Sequence, residues 1–518
     1  MTKRKKKKHV SYFKIISAGL LIAGVIIVFL LYLDTKTDYH LVIIDKNGVA
    51  SEIQTYDSFK LAKSNMRKLD HQENENVEIT TDDGTRVAIR YGVLNFKTKQ
   101  CTVNTAYTFD DRDEEGYING CYGADAVYLD TSNDGKKFKF MMSGVVGWVD
   151  RKDVELLDYY NEKEVASVSH YVVKDNTFLH KGTTDVKSGN YAFSLDVGLP
   201  FQDTSYAYYY SYDGHYFYPS FTSMSDDYQN NTRKNSVNYD QPYYNYYQFL
   251  SHRSISNYST QDINKYITSI LGYTSQPSSY PMGNEESLLF NMGKAFVDAQ
   301  NRYSTNAIMM MGLSANESAY GRSELAYAKN NLFGHAAYDA SPSQSANKYA
   351  NPQESILVHA SVFLNQGYLN ACDGFKGSGT CDSEQANRYR GAYLGDKESG
   401  MNVRYASDPY WGEKAASFYR KFDKAMGMKD AKFDILIKDV DHAPVYQKAD
   451  KNSTILYRTP TVKNYSMLVL DIIKNDQGTW YKIKSDAPIN KEGNQVETES
   501  SAYNVKKSVV FINADDLK

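Results

Sequence analysis

The spacing of apolar and polar positions along this 518-residue chain changes several times, and each change predicts a different kind of element. Residues 15–33 are a charge-free, mainly apolar run; as a helix it extends about 28 Å, close to the ~30 Å hydrocarbon thickness of a bilayer, so it is expected to span a membrane. Residues 39–96 read as a small α/β unit: a hairpin at Lys46-Asn-Gly48, a helix over 57–69 with Phe59, Ala62, Met66 and Leu69 on one stripe, and a hairpin at Asp82-Asp-Gly84. Short alternating segments such as Ala126-Val-Tyr-Leu129, Phe138-Lys-Phe-Met141 and Gly144-Val-Val-Gly-Trp-Val149 predict a small β-barrel over 97–157. Ala443-Pro-Val-Tyr446, Gly478-Thr-Trp-Tyr-Lys482 and Val509-Val-Phe-Ile512 predict a second one over 432–518.

Helical spacing dominates residues 285–428. Stripes are Leu289, Met292, Phe296 and Ala299 over 287–303; Ile356, Ala360, Phe363 and Leu364 over 352–367; and Trp411, Ala415, Phe418 and Phe422 over 410–426. All three read as ordinary core. Between the first barrel and these helices, residues 158–284 are tyrosine-rich, with Tyr206-Ala-Tyr-Tyr-Tyr-Ser-Tyr212 and Tyr243-Tyr-Asn-Tyr-Tyr247; they read as an extension packing on the helical region. Tyrosine there serves either a core or the face of a sugar ring, since it joins a flat apolar ring to a polar tip.

Charge fixes the expected topology. Residues 1–14 carry seven basic and no acidic side chains, so they are expected to stay cytoplasmic, with residues 15–33 as a retained single-pass anchor and the rest outside the cell. A cleaved signal peptide is the rival reading, but the exit from the run lacks a small-x-small cleavage pattern. Without that leader the net charge of −3 becomes about −10, which argues against a nucleic-acid partner. Four cysteines outside the cell fit two disulfides. Spacing favours Cys101 with Cys121 and Cys372 with Cys381, and two other connectivities are open to the same four residues. No CxxC and no Cys/His cluster has zinc spacing, so neither a metal nor a cofactor is expected.

The chemistry concentrates where one apolar stretch ends. Ala307-Ile-Met-Met-Met-Gly-Leu313 reads as a buried helix, and Glu317 follows at its rim, where burial raises a carboxyl pKa and fits it for general-acid work. From the residue alone a structural carboxylate is as good a reading.

Four ordered motifs tip that balance: Glu317-Ser-Ala-Tyr-Gly-Arg-Ser323, Asn331-Leu-Phe-Gly334, Ala337-Tyr-Asp-Ala-Ser-Pro342 and Tyr405-Ala-Ser-Asp-Pro-Tyr410. Together they resemble the N-acetylglucosaminidase domains of bacterial autolysins, glycoside hydrolase family 73, over about a quarter of the chain. The two β segments resemble the bacterial SH3-like domains of cell-wall enzymes. The resemblance implies a multidomain α+β protein whose mostly α-helical, lysozyme-like catalytic domain is flanked by SH3-like barrels. It also implies cleavage of the β-1,4 bond after N-acetylglucosamine in peptidoglycan, with Glu317 as the general acid. Tyr405 matches a cleft tyrosine important for activity, and Asp339 is the best candidate for a second carboxylate, or else a turn residue ahead of Pro342. Tyr320, Phe333, Gly334, Tyr338, Tyr349 and Tyr410 are expected at sugar subsites; Asp408 reads as a helix cap. Ala319 and Tyr320 depart from the motif, which usually has Gly and Trp there.

The expectation is thus a peptidoglycan hydrolase held in the cell membrane and facing the wall, any membrane protein partner being unknown. A muramidase or lytic transglycosylase is the nearest alternative. A non-catalytic wall-binding scaffold is the alternative from another class.

Overall fold

The computed structural model describes residues 37–45, 47–69, 75–201, 205–271, 285–336, 346–371, 388–496, 500 and 503–518. The chain divides into two compact units, residues 1–90 and 91–518.

In the first unit, β1 (Tyr39–Ile44), β2 (Ala50–Tyr56), β3 (Asn76–Thr81) and β4 (Arg86–Ile89) form an antiparallel sheet in the order β2-β1-β3-β4. The helix Phe59–Met66 lays Phe59, Ala62 and Met66 against Leu41, Val77, Ile79 and Val87. Spacings of three and four put those residues on one helix face.

The second unit holds three further sheets. One contains β5 (Gly92–Asn95), β6 (Thr105–Phe109), β7 (Glu115–Ile118), β8 (Asp125–Thr131), β9 (Lys137–Met142), β10 (Val145–Asp150) and β11 (Glu155–Asp158), ordered β11-β5-β8-β9-β10-β6-β7. A smaller one pairs β12 (His170–Lys174), β13 (Thr177–Gly182) and β14 (Phe193–Gly198). The last contains β15 (Asp434–Asp441), β16 (Pro444–Tyr446), β17 (Ile455–Arg458), β18 (Thr461–Asn475), β19 (Gly478–Lys484) and β20 (Val509–Asn513), ordered β15-β18-β19-β20-β16-β17.

The helices lie between these sheets. Ala307–Glu317 is buried from Ala307 to Ala315 and packs against Trp411–Ala425. At Gly312 a Cβ would stand 3.2 Å from the backbone nitrogen of Tyr419, so the missing side chain lets the two backbones approach. Gly293–Tyr303 starts six residues later than the apolar stripe predicts. Ser287 explains the delay: its hydroxyl donates to the Tyr320 carbonyl (2.6 Å) and accepts from the Leu289 amide (3.1 Å), which favours a turn over a helix there. Pro352–Val358 continues as a π-type run, His359–Tyr368.

The expected fold class needs correction on two counts. Among the described residues no helix is long and apolar enough to cross a membrane, and residues 15–33 lie outside them. The described helix with the longest fully apolar start, Ala307–Glu317, has 11 residues and so extends about 16 Å, little over half a bilayer core. Secondly, the chain is rich in β-sheet, and the segment carrying the motifs is not shown to be mostly helical. Its helices are short because left-handed turns at Ser304, at Ala319 to Gly321 and at Asn330 end them, while residues 388–401 run as buried loop. The tyrosine-rich stretch supplies core: Tyr209, Tyr212 and Tyr218 are buried, and the Tyr212 hydroxyl donates to Asp125 at 2.6 Å.

Arg253 ties the helices to the last sheet. Fully buried, it donates to the carbonyls of Tyr303 (2.9 Å), Leu369 (3.2 Å) and Asp486 (2.6 and 3.1 Å) and to the Asn365 side chain (2.8 Å). Removing the guanidinium strands those buried acceptors, so Arg253→Met is expected to cost more than about 3 kcal/mol, with Arg253→Lys recovering only part. Thermal or urea unfolding of the three proteins checks this; equal stability would refute it.

Candidate active site

Glu317 owes its position to both ends of its helix. At the N-terminus the Asn306 side chain accepts from the amides of Ile308 (2.9 Å) and Met309 (3.0 Å), satisfying donors the helix cannot. At the C-terminus the Ser318 hydroxyl donates to the Ser314 carbonyl (2.5 Å) and accepts from the Gly321 amide (2.7 Å), while the Tyr320 amide reaches the Ala315 carbonyl (2.9 Å). Ala319, Tyr320 and Gly321 all take left-handed φ values, 51°, 57° and 72°. The chain therefore reverses immediately after Glu317 and leaves its carboxyl facing a groove of about 780 Å³.

Trp411, at the first turn of Trp411–Ala425, donates its indole N–H to Glu317 Oε1 at 2.5 Å; the Asn316 amide lies 3.3 Å from the same oxygen. Burial pushes the Glu317 pKa up to about 7, and the hydrogen bonds from Trp411 and Asn316 oppose that shift by favouring the charged form. The residue keeps partial exposure because its carboxyl meets the groove. Opposite, Gly334 has φ 64°, and a Cβ there would sit 3.5 Å from Glu317 Oε2. Backbone thus lies beside the carboxyl at a position whose positive φ favours glycine.

Aromatic rings form the surrounding wall. Tyr405 stacks on Trp411 (centroids 4.3 Å, 22°), tilts against Tyr368 (5.0 Å), and donates weakly to the Phe333 carbonyl (3.4 Å). His335 stacks on Phe363 and His359 on Phe333, each at 3.7 Å, and the two imidazoles share a 2.9 Å hydrogen bond. Burial lowers both histidine pKa values, that of His335 to about 3, so this wall is uncharged at neutral pH. Low polarity beside Glu317 is what its raised pKa requires.

Glu317, Phe333, Gly334 and Tyr405 come together in the groove; the other expected residues stand elsewhere. Tyr320 packs on Phe418 at 5.3 Å, with Lys421 donating to its hydroxyl at 3.3 Å. Tyr349 is buried behind the wall, its hydroxyl 2.6 Å from His335 Nδ1. Tyr410 is buried against His180 and borders a small pocket of about 30 Å³, which has room for a water or two and not for a sugar. Asp408 lines the groove but is engaged: it accepts from Lys414 (2.6 Å) and from the Tyr410 amide (2.9 Å). Tyr338, Asp339, Cys372 and Cys381 lie outside the described residues, whereas Cys101 and Cys121 form a disulfide. Among the described residues no three His, Cys, Asp or Glu side chains gather as a metal site.

Trp411 and Asn316 are the functional neighbours that spacing does not reveal. Trp411 falls on an apolar stripe and reads as core; its position directly after the Tyr405-to-Tyr410 motif was the available signal. Thr102, Asn104, Tyr117 and Tyr122, which also line the groove, carry no motif at all.

Residues 293–424 match the glucosaminidase family described as mannosyl-glycoprotein endo-beta-N-acetylglucosaminidase. A Streptococcus pneumoniae (serotype 4) protein provisionally named endo-beta-N-acetylglucosaminidase is 29% identical over 336 residues, 63% of this chain. This chain spans only 40% of that relative's length. The beta-N-acetylglucosaminidase of Bacillus subtilis (strain 168) is 25% identical over 160 residues, 29% of this chain and 16% of that protein. Among solved structures, S. aureus autolysin E is similar at 23% identity over 35% of this chain and 73% of its own, with a TM-score of 0.24, too low to show a shared fold. The matched segment, residues 293–424, contains Glu317, Phe333, Gly334, Tyr405 and Trp411 and is similar to glucosaminidase domains.

Proposed function

We propose that the protein is a peptidoglycan hydrolase, an endo-β-N-acetylglucosaminidase that cuts the β-1,4 bond between N-acetylglucosamine and N-acetylmuramic acid, with Glu317 as general acid. The observation that carries this reading is a carboxyl with a pKa near 7, within a glucosaminidase domain, at the surface of an aromatic-walled groove. A carboxylic acid still protonated near neutral pH can give its proton to the leaving glycosidic oxygen as the C1–O bond breaks. The rings of Tyr405 and Trp411 offer flat apolar faces of the kind that sugar rings stack against. The Cys101–Cys121 disulfide supports an oxidising compartment, which for this substrate means the outer side of the cell.

Glu317→Gln removes the proton donor and should lower kcat on purified glycan strands by about 10²-fold or more. Wild-type digests should show new reducing-end N-acetylglucosamine by mass spectrometry; 1,6-anhydro-muramyl ends would mean a transglycosylase, and reducing-end N-acetylmuramic acid a muramidase.

The Trp411 hydrogen bond favours the carboxylate, so Trp411→Phe should raise the Glu317 pKa and carry the basic limb of the kcat/KM–pH profile to higher pH. A limb that stays in place or moves down would refute the assignment.

The same carboxyl makes stability depend on pH. Glu317 titrates near 7 when folded and at its ordinary value of 4.5 when unfolded. Across that window the unfolded chain releases a proton that the folded chain holds, so folding stability falls as pH rises. Glu317→Gln is free of this loss and should melt above wild type beyond pH 7, with the gap closing below pH 4.5.

A further inference from the structure

One wall of the groove comes from outside the glucosaminidase domain. Thr102, Asn104, Tyr117 and Tyr122 line it, about 170 to 190 residues before the matched segment begins in the sequence. Thr102 and Asn104 are exposed and, among the described residues, their side chains have no hydrogen-bond partner. Tyr122 is 40% exposed although it borders a concavity. Two polar groups therefore stand open to whatever fills the groove, beside a part-exposed ring whose centroid lies 6.0 Å from the Lys414 ammonium. Such a combination suits a carbohydrate: hydroxyl and amide groups meet sugar hydroxyls, and a ring meets the apolar face of a pyranose.

This wall is held in place by specific bonds. The Cys101–Cys121 disulfide joins residues 97–104 to the turn after β7, and the Asn119 side chain donates to the Cys101 carbonyl (2.7 Å) while accepting from the Cys121 amide (3.1 Å). The turn is docked on the segment that leads to Trp411. The Asn119 amide donates to the Ser407 carbonyl (2.8 Å), Lys414 to the Tyr122 carbonyl (3.3 Å), and the Tyr117 hydroxyl to the Arg404 carbonyl (3.0 Å). A closed covalent loop limits the conformations open to Thr102 and Asn104, so less order has to be gained when a ligand binds.

We infer that the disulfide-braced loop of residues 97–104, together with Tyr122, is a remote sugar subsite that sets affinity for long glycan strands without touching the reacting bond. The inference rests on the glycan-hydrolase reading above. Interactions equally strong with bound substrate and with the transition state lower KM and leave kcat alone.

Steady-state kinetics on defined soluble strands of alternating N-acetylglucosamine and N-acetylmuramic acid test it, with the full chain as wild type, as Thr102→Ala/Asn104→Ala, as Tyr122→Ala and as Tyr122→Phe. The double variant and Tyr122→Ala should each raise KM about five- to tenfold at unchanged kcat, and Tyr122→Phe should restore wild-type KM because the ring remains. Reducing the disulfide in the wild type should raise KM in the same way. Unchanged KM in every arm, or a fall in kcat with KM constant, overturns the subsite. If Glu317→Gln is inactive in parallel, the hydrolase reading stands while the subsite falls. If wild type cuts no strand, or Glu317→Gln cuts as fast, the hydrolase reading fails and takes the subsite with it. Thr102 and Asn104 are exposed, so their replacement tests the idea without disturbing the core.

Discussion

The hydrogen bond from the Trp411 indole to Glu317 is the contact on which the site depends, because it joins the two helices whose packing determines the environment of the carboxyl. A carboxyl held near pKa 7 must be withdrawn from water yet reachable by substrate. Trp411 serves both needs. Its ring excludes solvent from one side and supports Tyr405, while its N–H fixes one carboxylate oxygen and leaves the other toward Gly334 and the groove. The partner helix can be this close because Gly312 carries no side chain. Shifting the helices by even an ångström would separate donor from acceptor and admit water.

That precision is supported from outside the two helices. Residues 402–410, which carry Tyr405 and lead into Trp411, are held by the buried Lys397, which donates to the carbonyls of Ala406 (2.6 Å) and Asn402 (3.1 Å). Burial lowers the Lys397 pKa to about 7. Ser143, in the turn between β9 and β10, donates to the Pro409 carbonyl at 2.6 Å, as Asn402 does at 2.9 Å. Beside them Arg112, only slightly exposed, pairs with the buried Glu398 at 2.7 Å. Buried charges of this kind contribute little net stability, but each removes alternatives for the loop it grips. The seven-stranded sheet acts here as a frame for the loop that carries Tyr405 as well as a neighbour.

How much of this was legible in the sequence differs by feature. The stripe over residues 410–426 marks a helix that forms as Trp411–Ala425, since its period follows directly from which face is buried. Glu317 was legible because a motif and an apolar stretch converge on it. Trp411 was not, because a tryptophan on an apolar stripe satisfies the core pattern whether or not its N–H has a task. Tyr320 has the aromatic character expected of a subsite, yet its left-handed backbone turns it toward Phe418. The wall at Thr102, Asn104 and Tyr122 is set by tertiary docking across nearly 300 residues, which no local period encodes. The fold class was misjudged for a related reason: apolar stripes announce helices strongly, whereas the left-handed turns and buried loops that interrupt them announce little.

Ala319 shows what such a site costs its fold. The motif usually has glycine there, and the structure shows why: φ is 51°, a conformation that an L-residue with a Cβ adopts at a cost of roughly 1–2 kcal/mol. Alanine is tolerated because neighbouring bonds over-determine the turn, from Ser318 on one side and, on the other, from Ser287, whose hydroxyl donates to the Tyr320 carbonyl. The strain lies two residues from a carboxyl whose burial is itself unfavourable above pH 4.5. Both terms act against folding at the same place, beside the groove. Interactions far from the groove, such as the hydrogen bonds that Arg253 gives to Tyr303, Asn365 and Asp486, must outweigh them; the stability of the distant core is therefore a condition of the geometry at Glu317.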